Sequence, residues 1–91
     1  MEMEEIFERY NDDYLKFERV EHKRSDRPDL HAFLLLDELF PGNRDMISYA
    51  EHDEFYLDIN DDDIQKLTEK QVLELIRCGV MYNGEGLWMF S

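Results

Sequence analysis

The sequence predicts an α+β domain, a small antiparallel sheet of three to four strands covered by two or three helices in the order α-α-β-β-α-β-β. Three observations carry this. Apolar residues recur at helical spacing near the N-terminus, the pattern changes to period two between Met46 and Ile59, and Asn83-Gly84 separates two short apolar runs near the C-terminus.

The first helix is expected from Met3 to about Lys23. Met3, Phe7, Tyr10, Tyr14 and Phe17 recur with steps of 4, 3, 4 and 3, one stripe of an α-helix, widened by Ile6 and Val20. Glu5 with Arg9 and Asp12 with Lys16 are opposite charges at i and i+4 on its polar side. The same stripe is a short heptad seam, so packing within the chain has an alternative, a homodimer contact through these five residues. Asp26-Arg27-Pro28-Asp29 opens the second helix, with Asp26 as cap and proline in the first turn. Its dense apolar content from Leu30 to Phe40 makes it the expected most buried element, with His31, Asp37 and Glu38 as its polar edge. Pro41-Gly42 stops it.

Ile47 and Tyr49, then Phe55, Leu57 and Ile59, are expected on one face of two strands, with Glu54, Tyr56 and Asp58 on the other and a turn around Glu51-His52-Asp53. Asn60-Asp61-Asp62-Asp63 begins a helical stretch, its carboxylates placed where backbone N–H groups need acceptors. Thr68 and Gln71 fit a capping box leading into Val72, Leu75 and Ile76, and Gly79 closes that helix. Val80-Met81-Tyr82 and Leu87-Trp88-Met89-Phe90 make the last hairpin. The final strand is apolar on both faces, so it is either interior to the sheet or presents Trp88 or Phe90 to a partner.

At 91 residues one domain is expected over 1–91, an amphipathic helix at 1–24 followed by an α+β core at 25–91. Hydrophobic residues at 43% and aromatics at 13% are too many for a disordered chain, despite the charge. Met1-Glu2-Met3-Glu4-Glu5 has neither the basic nor the apolar region of an export signal. The longest apolar run, Ala32 to Leu36, is five residues, against about 20 for a membrane helix. Cys78 is the one cysteine, which suits a reducing cytoplasm and reads as a buried small hydrophobe.

The formal charge is −13, from 23 acidic and 10 basic residues. This excludes charge-driven binding to nucleic acid or an anionic membrane. The charge is also uneven. Residues 37–63 hold ten acids, Asp37, Glu38, Asp45, Glu51, Asp53, Glu54, Asp58, Asp61, Asp62 and Asp63, and one base, Arg44. Such a concentration has two readings. Acids cap turns and helix starts and maintain solubility, or they form a surface for a basic partner such as the nucleic-acid site of another protein.

The chemical motifs in the sequence are incomplete. Asp58, Asn60, Asp62 and Glu69 stand at positions 1, 3, 5 and 12 of a calcium loop, but the sixth position holds Asp63 in place of glycine and Thr68 caps a helix inside the loop. Glu51-His52-Asp53-Glu54 has metal-ligand residue types, yet neighbours on a strand point to opposite faces. Neither a metal nor a cofactor is expected, and neither are catalytic residues.

Arg27 to Asp37, Arg77-Cys78-Gly79-Val80-Met81-Tyr82 and Leu87-Trp88-Met89-Phe90 resemble small acidic proteins encoded by tailed bacteriophages, over the stretch from Arg27 to the end. The resemblance implies a setting, the cytoplasm of an infected bacterium, and a partner among host nucleic-acid-handling or defence proteins. It carries no activity and no site residue.

Overall fold

The computed structural model describes residues 2–42, 45–51 and 53–90, so Arg44 and His52 lie outside the described residues. The fold is α+β, in the predicted order. Helices α1 (Met3–Arg9) and α2 (Pro28–Leu39) precede strands β1 (Ile47–Glu51) and β2 (Glu54–Leu57). A single turn α3 (Asp61–Ile64), helix α4 (Glu69–Arg77) and strands β3 (Met81–Tyr82) and β4 (Leu87–Phe90) complete it. All strand pairings are antiparallel and the order across the sheet is β1-β2-β4-β3.

The helices lie on one face. Phe7 of α1 meets Tyr82 of β3 with ring centroids 5.6 Å apart, and Phe33 of α2 meets Phe55 of β2 edge-on at 6.1 Å. Leu57, Leu87 and Met89 point into the same core, where Val72, Leu75 and Ile76 of α4 are fully buried. Helix α4 therefore holds the centre, a role expected of α2. Leu30 and Leu34 on α2 are 41% and 42% exposed, because its apolar residues encircle the axis and one side must face solvent.

Helix α4 is built as its sequence prescribes. Thr68 Oγ1 accepts the Gln71 backbone N–H at 3.2 Å, while the Gln71 side chain accepts the Thr68 N–H at 2.9 Å. Gly79 follows the Cys78 C-cap at φ +94°, a conformation costly for residues with a Cβ. Asn60 caps α3 by accepting the Asp63 N–H at 3.0 Å.

The N-terminal helix is shorter than the periodicity predicts. It ends at Arg9, and 3-10 turns at Asn11–Asp13 and Phe17–Arg19 follow, with Leu15 at φ +57° between them. Tertiary contacts override the stripe here. The Leu15 N–H donates to the Ile76 carbonyl at 3.1 Å, satisfying an acceptor at the end of α4. Arg77 Nε donates to Asp13 at 2.8 Å and Arg77 Nη1 to the Arg19 carbonyl at 3.3 Å. The chain wraps the C-terminal end of α4 instead of continuing as a helix. Helix α2 also starts differently from the expectation: its N-cap is Arg27 without a side-chain cap bond, and Asp26 does not cap it. Pro28 at the first position has no N–H to satisfy, and Asp29 Oδ1 accepts the Leu30 N–H at 2.8 Å.

The proposed dimer seam turns inward. Met3 and Phe7 are 4% and 2% exposed, and Tyr10, Tyr14 and Phe17 pack against the same core. Met3 and Phe7 are buried and Tyr10, Tyr14 and Phe17 partly buried within their own chain, and with α1 ending at Arg9 the five form no continuous helical stripe.

Candidate functional site

The face of the sheet away from the helices is aromatic and acidic. Strand β4 is interior, and its alternation sends Leu87 and Met89 into the core and Trp88 and Phe90 outward. Trp88 stands opposite Tyr56 of β2 and Met81 of β3, and Phe90 opposite Glu54. Trp88 and Phe90 are edge-on at 4.8 Å, and Tyr14 closes against Phe90 at 6.4 Å.

Strand β1 joins this face through an irregularity. The register runs Ile47 with Leu57 but Tyr49 with Tyr56, so Ser48 is a bulge. The extra residue turns Tyr49 to the face opposite the one expected. It leaves the apolar set of Phe55 and Leu57 and stands beside Tyr56, ring centroids 5.9 Å apart at 49°. The next pair in register on this face is Glu51 with Glu54. Tyr49 donates its phenolic hydrogen to Glu51 at 2.9 Å and Tyr56 donates to Glu54 at 3.4 Å. Both phenols are held above their usual acidity range, Tyr49 chiefly by its bond to Glu51 and Tyr56 chiefly by desolvation with the Glu54 charge adding to it.

Beside these pairs lies a groove of about 450 Å³ whose walls include Tyr49, Glu51, Tyr56, Asp58 and Glu85. Glu85 comes from the β3–β4 turn, where Asn83 Oδ1 accepts the N–H groups of Glu85 and Gly86 at 2.9 and 3.0 Å. No lysine or arginine occurs in residues 45–65 or 78–91, the segments that form the sheet and its turns. Among the described residues no cation pairs with Glu51, Glu54 or Glu85.

The ten acids singled out in the sequence divide into distinct settings. Glu51, Glu54 and Asp58 belong to the open face and its groove. Glu38 is engaged by Arg24, whose Nε donates at 3.0 Å; Asp61 accepts the Tyr82 hydroxyl at 2.8 Å; Asp63 lies 3.5 Å from Lys66. Asp37, Asp45, Asp53 and Asp62 are exposed. Glu85, outside the acidic segment, was missed. Its signal was available: an acid in a tight turn between two apolar strands must stand at the sheet's rim.

The chemically capable groups elsewhere are used for structure. His31, expected at a polar edge, is fully buried, because it lies one turn before Leu35 on the inward side of α2. Its Nδ1 accepts the Arg24 N–H at 3.0 Å, which fixes the tautomer so that Nε2–H donates to Glu74 at 2.9 Å. Cys78 is also fully buried, and desolvation together with the Glu74 charge pushes its thiol up to about 12, far from a thiolate nucleophile. Among the described residues, no three His, Cys, Asp or Glu side chains converge as metal ligands, and no helix is long and apolar enough to cross a membrane. The Glu51-His52-Asp53-Glu54 cluster falls partly outside the described residues at His52.

The fold and this face define an α+β domain with an open, acidic and aromatic sheet surface. No family model, curated protein or solved structure matches the chain.

Proposed function

We propose that this chain is a non-enzymatic interaction protein of the phage type, which acts in the bacterial cytoplasm by covering a basic surface of a host nucleic-acid-handling or defence protein. The observation that supports it is the open face of the sheet, where Glu51, Glu54 and Glu85 stand beside exposed aromatic rings and, among the described residues, no lysine or arginine pairs with these three glutamates. Tyr49 and Phe90 are 54% and 56% exposed. Aromatic anchors supply binding area with little entropy cost, and the surrounding carboxylates supply long-range attraction and reject other acidic surfaces. A nucleic-acid site is lined with lysine and arginine that neutralise phosphates, and carboxylates spaced along a hairpin answer those cations as phosphates do. A second copy of this chain suits the face poorly, because a two-fold contact sets its acids against their own copies.

The test is affinity capture from bacterial lysate with mass spectrometry, comparing wild type with Glu51→Lys/Glu54→Lys/Glu85→Lys. Wild type is expected to retain nucleic-acid-binding proteins and to release them as salt rises from about 0.05 to 0.5 M, while the reversed triple variant retains none and stays folded. Capture that ignores both salt and the reversal sinks the reading.

A further inference from the structure

We propose, resting on that reading, that the groove between Tyr49, Glu51, Tyr56 and Glu85 is a seat for one arginine side chain of the partner. Tyr49 and Tyr56 are cross-strand neighbours whose rings open at 49°, a wedge that admits a flat group against either ring. A guanidinium is flat, stacks on tyrosine and is weakly hydrated, whereas an ammonium is compact and holds its water. Glu51 and Glu54 stand directly opposite each other, which places two carboxylates side by side at one end of the wedge. Like charges in that position oppose folding. A fork of N–H donors is the group that bridges two adjacent carboxylates. The tyrosine hydroxyls already donate to these glutamates, at 2.9 Å for Tyr49 to Glu51, which lines the groove, and 3.4 Å for Tyr56 to Glu54 beside it. Glu85 on the far wall provides a third negative charge. The volume of about 450 Å³ takes a whole arginine side chain and the backbone that carries it, so the residue arrives from a strand or loop crossing the edge at β1.

The experiment is a 15N-correlation titration of the full chain with the tripeptide acetyl-Gly-Arg-Gly-amide, beside its neutral isostere containing citrulline and the lysine analogue. The arginine peptide is expected to shift the amides of residues 48–51, 54–57 and 85–86, with the citrulline peptide about tenfold weaker or more and lysine in between. Glu51→Gln/Glu54→Gln is expected to lose this binding while its melting temperature rises, because the opposed charges are removed. Tyr49→Leu, which keeps apolar area without the ring, is expected to lose it as well. Equal binding of citrulline, or a binding-competent Glu51→Gln/Glu54→Gln variant, overturns the inference. Arginine shifts confined to residues 61–63 overturn the groove and leave the basic-partner reading standing. No shift with any peptide, combined with salt-insensitive lysate capture, removes both.

Discussion

Asp13 ties the N-terminal segment to α4 and gives the fold its clearest acid sensitivity. The hydrogen bond from Arg77 is the largest influence on its carboxyl, and with the Arg77 and Arg19 charges it outweighs burial and lowers the pKa from 3.8. A carboxyl whose native pKa lies below its unfolded one binds fewer protons when folded. Its contribution is complete above about pH 4 and is lost as pH falls through the lowered native value. Asp13→Asn is therefore expected to melt at a lower temperature at neutral pH, yet to lose less on acidification between about pH 4 and 2 than wild type does. Thermal melts by circular dichroism across that range check it, and parallel acid limbs would refute the assignment. The buried His31 and the half-buried Glu74 form a second link, in which each nitrogen of the imidazole has a partner. Among the described residues no buried side-chain nitrogen or oxygen lacks one, as a small core with little stability to spare requires.

At the scale of elements, α4 and the N-terminal segment are opposites. The capping box of α4 is written in four consecutive residues, Thr68 to Gln71, and needs no tertiary help. Thr68→Ala is expected to cost about 1 kcal/mol, read from chemical denaturation at constant m-value. The stretch from Tyr10 to Val20 has apolar residues at helical spacing but also Asn11, Asp12 and Asp13, poor helix formers whose side chains compete for the backbone. Local pattern cannot show that Arg77, 64 positions from Asp13, recruits that segment to another helix end. The sheet divides in the same way. Both hairpins and their turns were legible from period-two patterning and Asn83-Gly84, whereas the bulge at Ser48 was not, since a bulge is a property of the pairing and not of one strand. That single residue decides the site. Without it Tyr49 would join the apolar face, so Tyr56 and Asp58 could be placed beside the groove from the period-two pattern and Tyr49 could not.

At the scale of the molecule, the excess charge is segregated as well as large. Arg9, Arg19, Arg24 and Arg77 lie on the helical side, where they bind Glu69, Asp13 and Glu38, while residues 45–65 and 78–91, which form the sheet and its turns, hold acids and no lysine or arginine. The core must hold together against that imbalance. Helix α1 is part of it rather than an appendage, as Met3, Ile6 and Phe7 are buried there. Phe7→Ala is expected to cost about 3–5 kcal/mol, a large share of the stability of a domain this size. Denaturant unfolding measures it, and a cost below about 1 kcal/mol would mean that α1 is peripheral.

Trp88 is the chain's single tryptophan, and it stands on the uncovered side of the sheet, half-buried, with its neighbours Tyr56 and Met81 across the strands. The molecule thus carries an optical gauge where a visitor would land. Ultraviolet emission from the unlabelled protein should change colour and intensity when that side is occupied, and stay constant when something settles on the helices.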